Sequence, residues 1–405
     1  MREKAEERMA YIEGRLVHDA DSHLMEMVDC LDPYLEHRLR QRYHELPVFR
    51  ARMERHEHFR MAREKHADAA FRAGADENLM LRKNYEAKGA FIREDRPSVV
   101  DLLGVASQLV FTTHALGNFG LDRSDDMELC YAVADAHNQM MVDFCSVDSR
   151  LLPTAYVPLE TFEGAVATAR KAIDIGARGL IMPSWCPRNH APSHVSLDPL
   201  WAMAEEAGVP MLFHVGYEDK MNPVYKENGL PPVPDFHGGD DNFTSISYMP
   251  IPNSAMQTLA TLIFDGVFDR FRNLKFGAIE LGASWLPGWM RSMDSAAHAF
   301  MRNEERLQKL SSKPSEIVQR QLRVTPYPHE DVGWVIRNAG EQVCLFSSDY
   351  PHVEGGRNPV KRFDSCLEGL PQSAIDCFYA DNFIDLMGDA LPVELRRPAH
   401  LVAAE

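Results

Sequence analysis

The chain has 405 residues, 45% hydrophobic and 25% charged, which is the composition of a globular protein rather than a disordered or fibrous one. Its formal net charge of −17 leaves no basic face for phosphate, which argues against nucleic acid or anionic lipid as a partner. No stretch approaches the roughly 18–20 apolar residues of a membrane span, and residues 1–15 are charged rather than signal-like, so a cytoplasmic protein is expected.

The first strand is expected at about residues 16–21. A polar stretch follows, roughly 30–100, dense in Arg, Glu, His and Met, with helices over Leu35–Tyr43 and Phe49–Arg72. It is too long for a βα loop and reads as an insertion packed over or beside a barrel mouth. Gln108–Phe111 restarts the strand pattern. Then come a helix at Met127–Cys145, a strand at Leu152–Val157, a helix at Thr161–Ile175 and a strand at Gly179–Met182. A helix at Pro199–Ala207 and a strand at 209–213 continue the rhythm. Residues 216–252 break it with six prolines and four glycines, the mark of a long functional loop. A helix at about 254–270 precedes a strand at 274–279, and further helices are read at Trp285–Ala299 and Asn303–Leu310. Arg323–Thr325 is the candidate seventh strand, 343–347 the eighth, and Ala374–Met387 a closing helix. Such alternation calls for a parallel sheet and, with eight strands, a (β/α)8 TIM barrel spanning residues 1–405 as one domain.

In such a barrel the active site gathers at the C-terminal ends of the strands, and metal-type side chains stand at several of those ends. Asp21 and His23 are two apart on the first strand, so both face one side and suit Zn²⁺ or Mn²⁺. His214 ends the fifth apolar run. Glu280 ends the sixth, where a carboxylate is costly to bury; ligand, positioner, substrate contact and rim ion pair all remain open for it. Asp349 ends the eighth and is the preferred general base, since a divalent ion lowers the pKa of water toward about 7. His352, three residues on, either supports Asp349 or shapes the loop. Singly, Asp21 suits a turn and His214 a buried core position; in register the set favours one divalent ion.

Other chemistries lack support. There is no P-loop, nucleophile elbow, H-E-x-x-H or dinucleotide glycine fingerprint. His56-Glu57-His58 reads as a solvated helix face, and the sequon Asn242-Phe243-Thr244 as coincidence. The seven cysteines, Cys30, Cys130, Cys145, Cys186, Cys344, Cys366 and Cys377, are odd in number and include no C-x-x-C pair, which points to reduced thiols.

The chain resembles the amidohydrolase superfamily, in the amidohydrolase 2 branch related to aminocarboxymuconate-semialdehyde decarboxylase. The segments that carry the likeness are Asp19–Glu26, Gly176–Leu180, Asp198–Trp201 through Phe213–Gly216, and Leu274–Phe276 through Trp285–Pro287. Ser348–His352 and Asn382–Gly388 complete them, so the likeness runs from about residue 16 to 390. The resemblance implies a distorted barrel with one divalent ion, usually zinc and in some decarboxylating members manganese. It also implies Asp21, His23 and His214 as ligands and Asp349 as ligand and proton acceptor. Two positions depart from the family pattern. Asp21-x-His23 replaces the common His-x-His, as in some decarboxylases, and Glu280 replaces a histidine that assists substrate handling.

The expectation is therefore a mononuclear metal-dependent hydrolase of a small carboxylated or ring-derived substrate, with zinc first and manganese second. The rival is a metal-dependent non-oxidative decarboxylase of an aromatic or unsaturated acid; a third reading is a non-catalytic barrel. The Met- and Phe-bearing insertion suggests a homodimer.

Overall fold

Seven short runs become the parallel strands of one curled sheet, ordered as they occur in the chain. They are β1 (His18–Leu24), β2 (Ser107–Thr112), β3 (Leu151–Tyr156), β4 (Gly179–Ile181), β5 (Met211–His214), β6 (Phe276–Ile279) and β7 (Leu322–Val324). Every strand residue is buried, because side chains fill the interior on one face and helices cover the other. This computed structural model describes residues 10–234 and 244–396, the side chains of 116–119 aside.

The expected eighth strand, 343–347, is not a regular one. The extended run from Val343 to Tyr350 still closes the sheet, since Val324 N donates to Val343 O (2.8 Å) and Leu345 N to Val324 O (2.9 Å). On its other side Ala20 N donates to Phe346 O (3.0 Å) and His23 N to Tyr350 O (2.7 Å). The ladder is broken because Phe346 N turns out of it to Phe378 O (2.9 Å), leaving isolated bridges at Val324–Cys344 and Ser22–Tyr350. The architecture is thus a distorted (β/α)8 barrel.

Helices follow the strands as expected at Met127–Cys145, Phe162–Ile175, Asp198–Ala207 and Leu286–Phe300. Others differ. The expected helix 49–72 is three helices, Pro47–Met53, His56–Ala67 and Ala69–Glu77, the last restarted by Asp68, whose side chain accepts from Phe71 N (2.8 Å). The helix at 254–270 splits into Asn253–Phe264 and Val267–Arg270, and the one at 303–310 shrinks to Glu305–Gln308. Pro314–Gln321, Val332–Ala339 and Pro359–Leu367 are helices that the sequence pattern did not announce. The closing helix is Gln372–Asp376 and Asn382–Met387, joined by a π-turn at Cys377–Asp381.

The insertion packs on the helix that follows β2: Tyr34 donates to Asp143 (2.7 Å) and Arg42 to Glu128 (2.6 Å). It also reaches the C-terminal side of β1, where Tyr85 Oη and Arg52 Nη2 both donate to Glu26 O (2.8 Å each). In the loop after β5, Pro223–Lys226 and Ser245–Tyr248 form single turns; Asp240, Asp241, and Asn242 and Phe243 of the sequon lie outside the described residues. The seven cysteines are free, and no described helix is long and apolar enough to cross a membrane.

Candidate metal centre

Strand alternation carries Asp21 and His23 onto one face of β1. His214 is the last residue of β5, Glu280 follows β6 directly, and Asp349 stands in the closing run. Parallel strands bring these ends to one mouth. His23 Nε2 lies 3.1 Å from Asp21 Oδ1, 3.5 Å from Asp349 Oδ1 and 3.6 Å from Glu280 Oε2. His214 Nε2 is 3.3 Å from the same Glu280 oxygen and 3.5 Å from Asp21 Oδ1. Two overlapping groups result among the described residues, Asp21–His23–His214–Glu280 and His23–Glu280–Asp349–His352, each with donor atoms within 4.8 Å of one another. All six residues singled out in the sequence therefore converge. His56, Glu57 and His58 do not, and are exposed on the insertion.

The hydrogen bonds say what this cluster fits. His23 Nδ1 meets Thr112 O and His214 Nδ1 meets Val215 O, both at 3.0 Å. A carbonyl only accepts, so each Nδ1 carries the proton and each Nε2 turns a lone pair inward. Asp21 Oδ1, His23 Nε2, His214 Nε2 and both Asp349 carboxylate oxygens are buried without a hydrogen-bond partner. Acceptors facing acceptors in a buried site need a cation between them, and this donor set is right for a divalent metal. Burial raises the Asp21 carboxyl, but the charge and hydrogen bonding of His23 and His214 outweigh that and hold it well below its usual range. Burial, then Asp349 and Asp21, push the Glu280 carboxyl well above its own.

Backbone strain marks the same positions. Glu280 (φ 55°) and Asp349 (φ 51°) are two of the three described non-glycine residues with positive φ, a conformation that costs on the order of 1–3 kcal/mol. Neighbours hold it in place: Glu280 N donates to Thr325 Oγ1 and Tyr327 Oη to Glu280 O, both at 2.7 Å. Asp349 N donates to Asp21 O (3.0 Å). His352 sits between groups, its Nδ1 3.0 Å from Asp349 Oδ1 and its Nε2 2.9 Å from Thr113 Oγ1, with its ring 3.9 Å from that of His23.

The amidohydrolase family model matches residues 111–386, more than half of the sequence. The chain belongs to the amidohydrolase family, in its amidohydrolase 2 branch. The matched stretch holds His214, Glu280, Asp349 and His352, while Asp21 and His23 precede it. No curated protein matches the sequence. Among solved structures, an amidohydrolase from Mycobacterium avium subsp. paratuberculosis K-10 superposes with a TM-score of 0.68 at 22% identity, over 93% of this chain and 100% of that one. A 5-carboxyvanillate decarboxylase from Novosphingobium aromaticivorans DSM 12444, complexed with manganese and 4-hydroxy-3-methoxy-5-nitrobenzoic acid, gives 0.61 at 15% identity, over 92% and 96%. A dihydroxybenzoic acid decarboxylase from Polaromonas sp. JS666, with manganese and 2-nitroresorcinol, gives 0.58 at 13% identity, over 92% and 97%. At these identities the likeness is one of fold.

Several supporting residues of this amidohydrolase were not singled out from the sequence. The Glu26 carboxylate accepts backbone N–H bonds from Thr113 (3.1 Å), His114 (2.8 Å) and Ala115 (3.4 Å), fixing the loop after β2. Glu330 does the same for Ala283 (3.0 Å), Ser284 (2.8 Å) and Tyr327 (2.7 Å), tying the loops after β6 and β7 together. Asp19 accepts from Ser348 N (2.8 Å), Ser348 Oγ (2.6 Å) and Gln108 Nε2 (2.8 Å), joining β1, β2 and the closing run. Burial pushes its carboxyl up to about 6 despite those bonds. For Glu26 the available signal was a carboxylate just past the end of β1, a place where burial demands a partner; Glu330, well beyond the end of β7, carried no such signal.

Proposed function

We propose that this amidohydrolase-family protein is a mononuclear divalent-metal hydrolase of a small carboxylated or ring-derived organic substrate. Asp21, His23, His214, Glu280 and Asp349 would hold the ion; both expected metals suit the set, and three carboxylates with two imidazoles favour manganese, which accepts six ligands readily. When bound, the cation supplies Lewis-acid polarisation of a carbonyl and a water acidic enough to attack at neutral pH. Asp349 takes the proton released by the attacking water, and His352, 3.0 Å away, relays it or steadies the carboxylate. Thr113 fixes the far side of the His352 ring. Burial of Asp21, His23, His214, Glu280 and Asp349 limits competition from bulk water.

The observation that carries this reading is Glu280, whose Oε2 stands within 3.6 Å of both histidine Nε2 atoms. A family histidine at this position would leave the ion more open. Together with Asp21, His23, His214 and Asp349, Glu280 makes five protein donors, which would crowd the ion and favour a small ligand such as water over a chelating substrate carboxylate. Turnover of lactones, amides and ring-cleavage esters in oxygen-18 water is the test. Label in the product without CO₂ release is expected; CO₂ release with solvent deuterium at the vacated carbon contradicts hydrolysis.

That contrary result would establish the second reading, decarboxylation of an aromatic or unsaturated acid. The acidic Asp21-x-His23 pair favours it, as does a fold shared with manganese-bound decarboxylases.

A further inference from the structure

Beyond the candidate ligands, the nitrogen groups buried near the site without a hydrogen-bond partner among the described residues include Arg52 Nε and Nη1, His114 Nε2 and Lys83 Nζ. None is a candidate metal ligand. Arg52 still donates through Nη2 to Glu26 O, and the His114 ring stacks on Tyr85 with centroids 5.7 Å apart, so both have structural work. Lys83 has none. Its stem is partly exposed while its ammonium is enclosed, and the carboxylates whose charge it feels are Asp349 and Glu354. Burial lowers its pKa, and those two carboxylates offset only part of that. Asn84, next in sequence, is the third non-glycine residue at positive φ (51°), and its N–H donates to Pro351 O (2.9 Å) in the loop between Asp349 and His352. The insertion is therefore pinned to the catalytic loop at the residue beside Lys83.

We propose that Lys83 is the specificity residue of this site, receiving the carboxylate of the substrate beside the metal cluster. This rests on the metal-centre reading given above. Three carboxylates and one dication leave the centre with net negative charge, so an anionic substrate needs a fixed cation close by. An enclosed ammonium with unused donors provides one, and charge-assisted pairing to a carboxylate is worth about 10- to 100-fold in affinity.

The test uses benzoate as a monocarboxylate probe and benzamide as its neutral counterpart, titrated calorimetrically into full-length protein of measured manganese content. Wild type is expected to bind benzoate at least about 10-fold more tightly than benzamide. Lys83→Met should remove that preference, leave benzamide binding and metal content unchanged, and be partly rescued by Lys83→Arg. An unaltered benzoate affinity in Lys83→Met, an equal loss for both probes, or no saturable benzoate binding to wild type overturns the proposal. Protein that takes up no metal would instead overturn the metal-centre reading, so the two failures are distinct.

Discussion

His23 and His214 each commit one ring nitrogen to a backbone carbonyl and turn the other toward the Asp21 and Glu280 carboxyl groups. This fixes the tautomer before any ion arrives, and it makes single substitutions informative. Asp21→Ala and His214→Ala are each expected to weaken manganese or zinc binding by at least about 10- to 100-fold, the loss seen even for residues that only support ligands. Competition with a chromogenic chelator measures it, and unchanged affinity would remove the residue from the donor set. Asp122, outside the proposed chemistry, gives a separate prediction. It is buried, accepts from Tyr156 Oη and Cys130 Sγ, and burial pushes its carboxyl up to about 7. An acid raised in this way keeps its proton in the native state after the unfolded chain has released its own. The stability so conferred, on the order of 4 kcal/mol at most, is complete below about pH 4 and lost as pH rises through about 7. Asp122→Asn cannot ionise, so its melting temperature relative to wild type should rise between pH 5 and pH 8. A difference constant with pH would contradict the assignment.

At the level of elements, the strand ends are held by loops clamped to buried carboxylates rather than by the strands alone. Glu330 ties the loops after β6 and β7 through three amides, and those loops carry Tyr327, which bonds Glu280 O. Glu330→Gln should cost about 1–3 kcal/mol of stability and weaken metal binding through a displaced Glu280. Wild-type metal affinity in a folded variant would show that Glu280 does not depend on this clamp. Gly355 meets a comparable constraint, since a Cβ there would fall 2.0 Å from Ser348 O, beside Asp349. Gly355→Ala should therefore lower both the melting temperature and metal affinity, and a fully tolerated substitution would show that this contact can yield. Six strands were legible as short, largely apolar runs buried on both faces, while β1, largely polar from His18 to His23, was announced by the apolar Leu16 and Val17 before it. The closing run 343–347 was legible by composition but not by regularity, because Phe346 N leaves the ladder for Phe378 O. Pro314–Gln321, Val332–Ala339 and Pro359–Leu367 escaped notice because eight or nine residues give barely two turns of periodicity. Their starts were written in the sequence nonetheless, by Pro314, by the Asp331 cap on Trp334 N, and by the Asn358 cap on Lys361 N.

Over the whole molecule, residues 21 to 352 meet at one mouth only because parallel strands point the same way. Ligand-type side chains at strand ends therefore pointed to this cluster more fully than any local motif. What stayed hidden was the insertion's contribution: nothing in a polar, charge-rich stretch separates Lys83 from its neighbours until the fold encloses its ammonium. The insertion also leaves Met53, Met61 and Leu81 exposed. The homodimer proposed from its composition predicts twice the chain mass by light scattering, and a monomeric mass removes it. The central claim, one divalent ion among Asp21, His23, His214, Glu280 and Asp349, is tested most directly by anomalous diffraction from crystals of manganese-loaded protein. The account predicts a single peak about 2.0–2.3 Å from His23 Nε2 and His214 Nε2 and from the carboxylate oxygens. No peak at the barrel mouth, or a peak that leaves both histidines unligated, would contradict it.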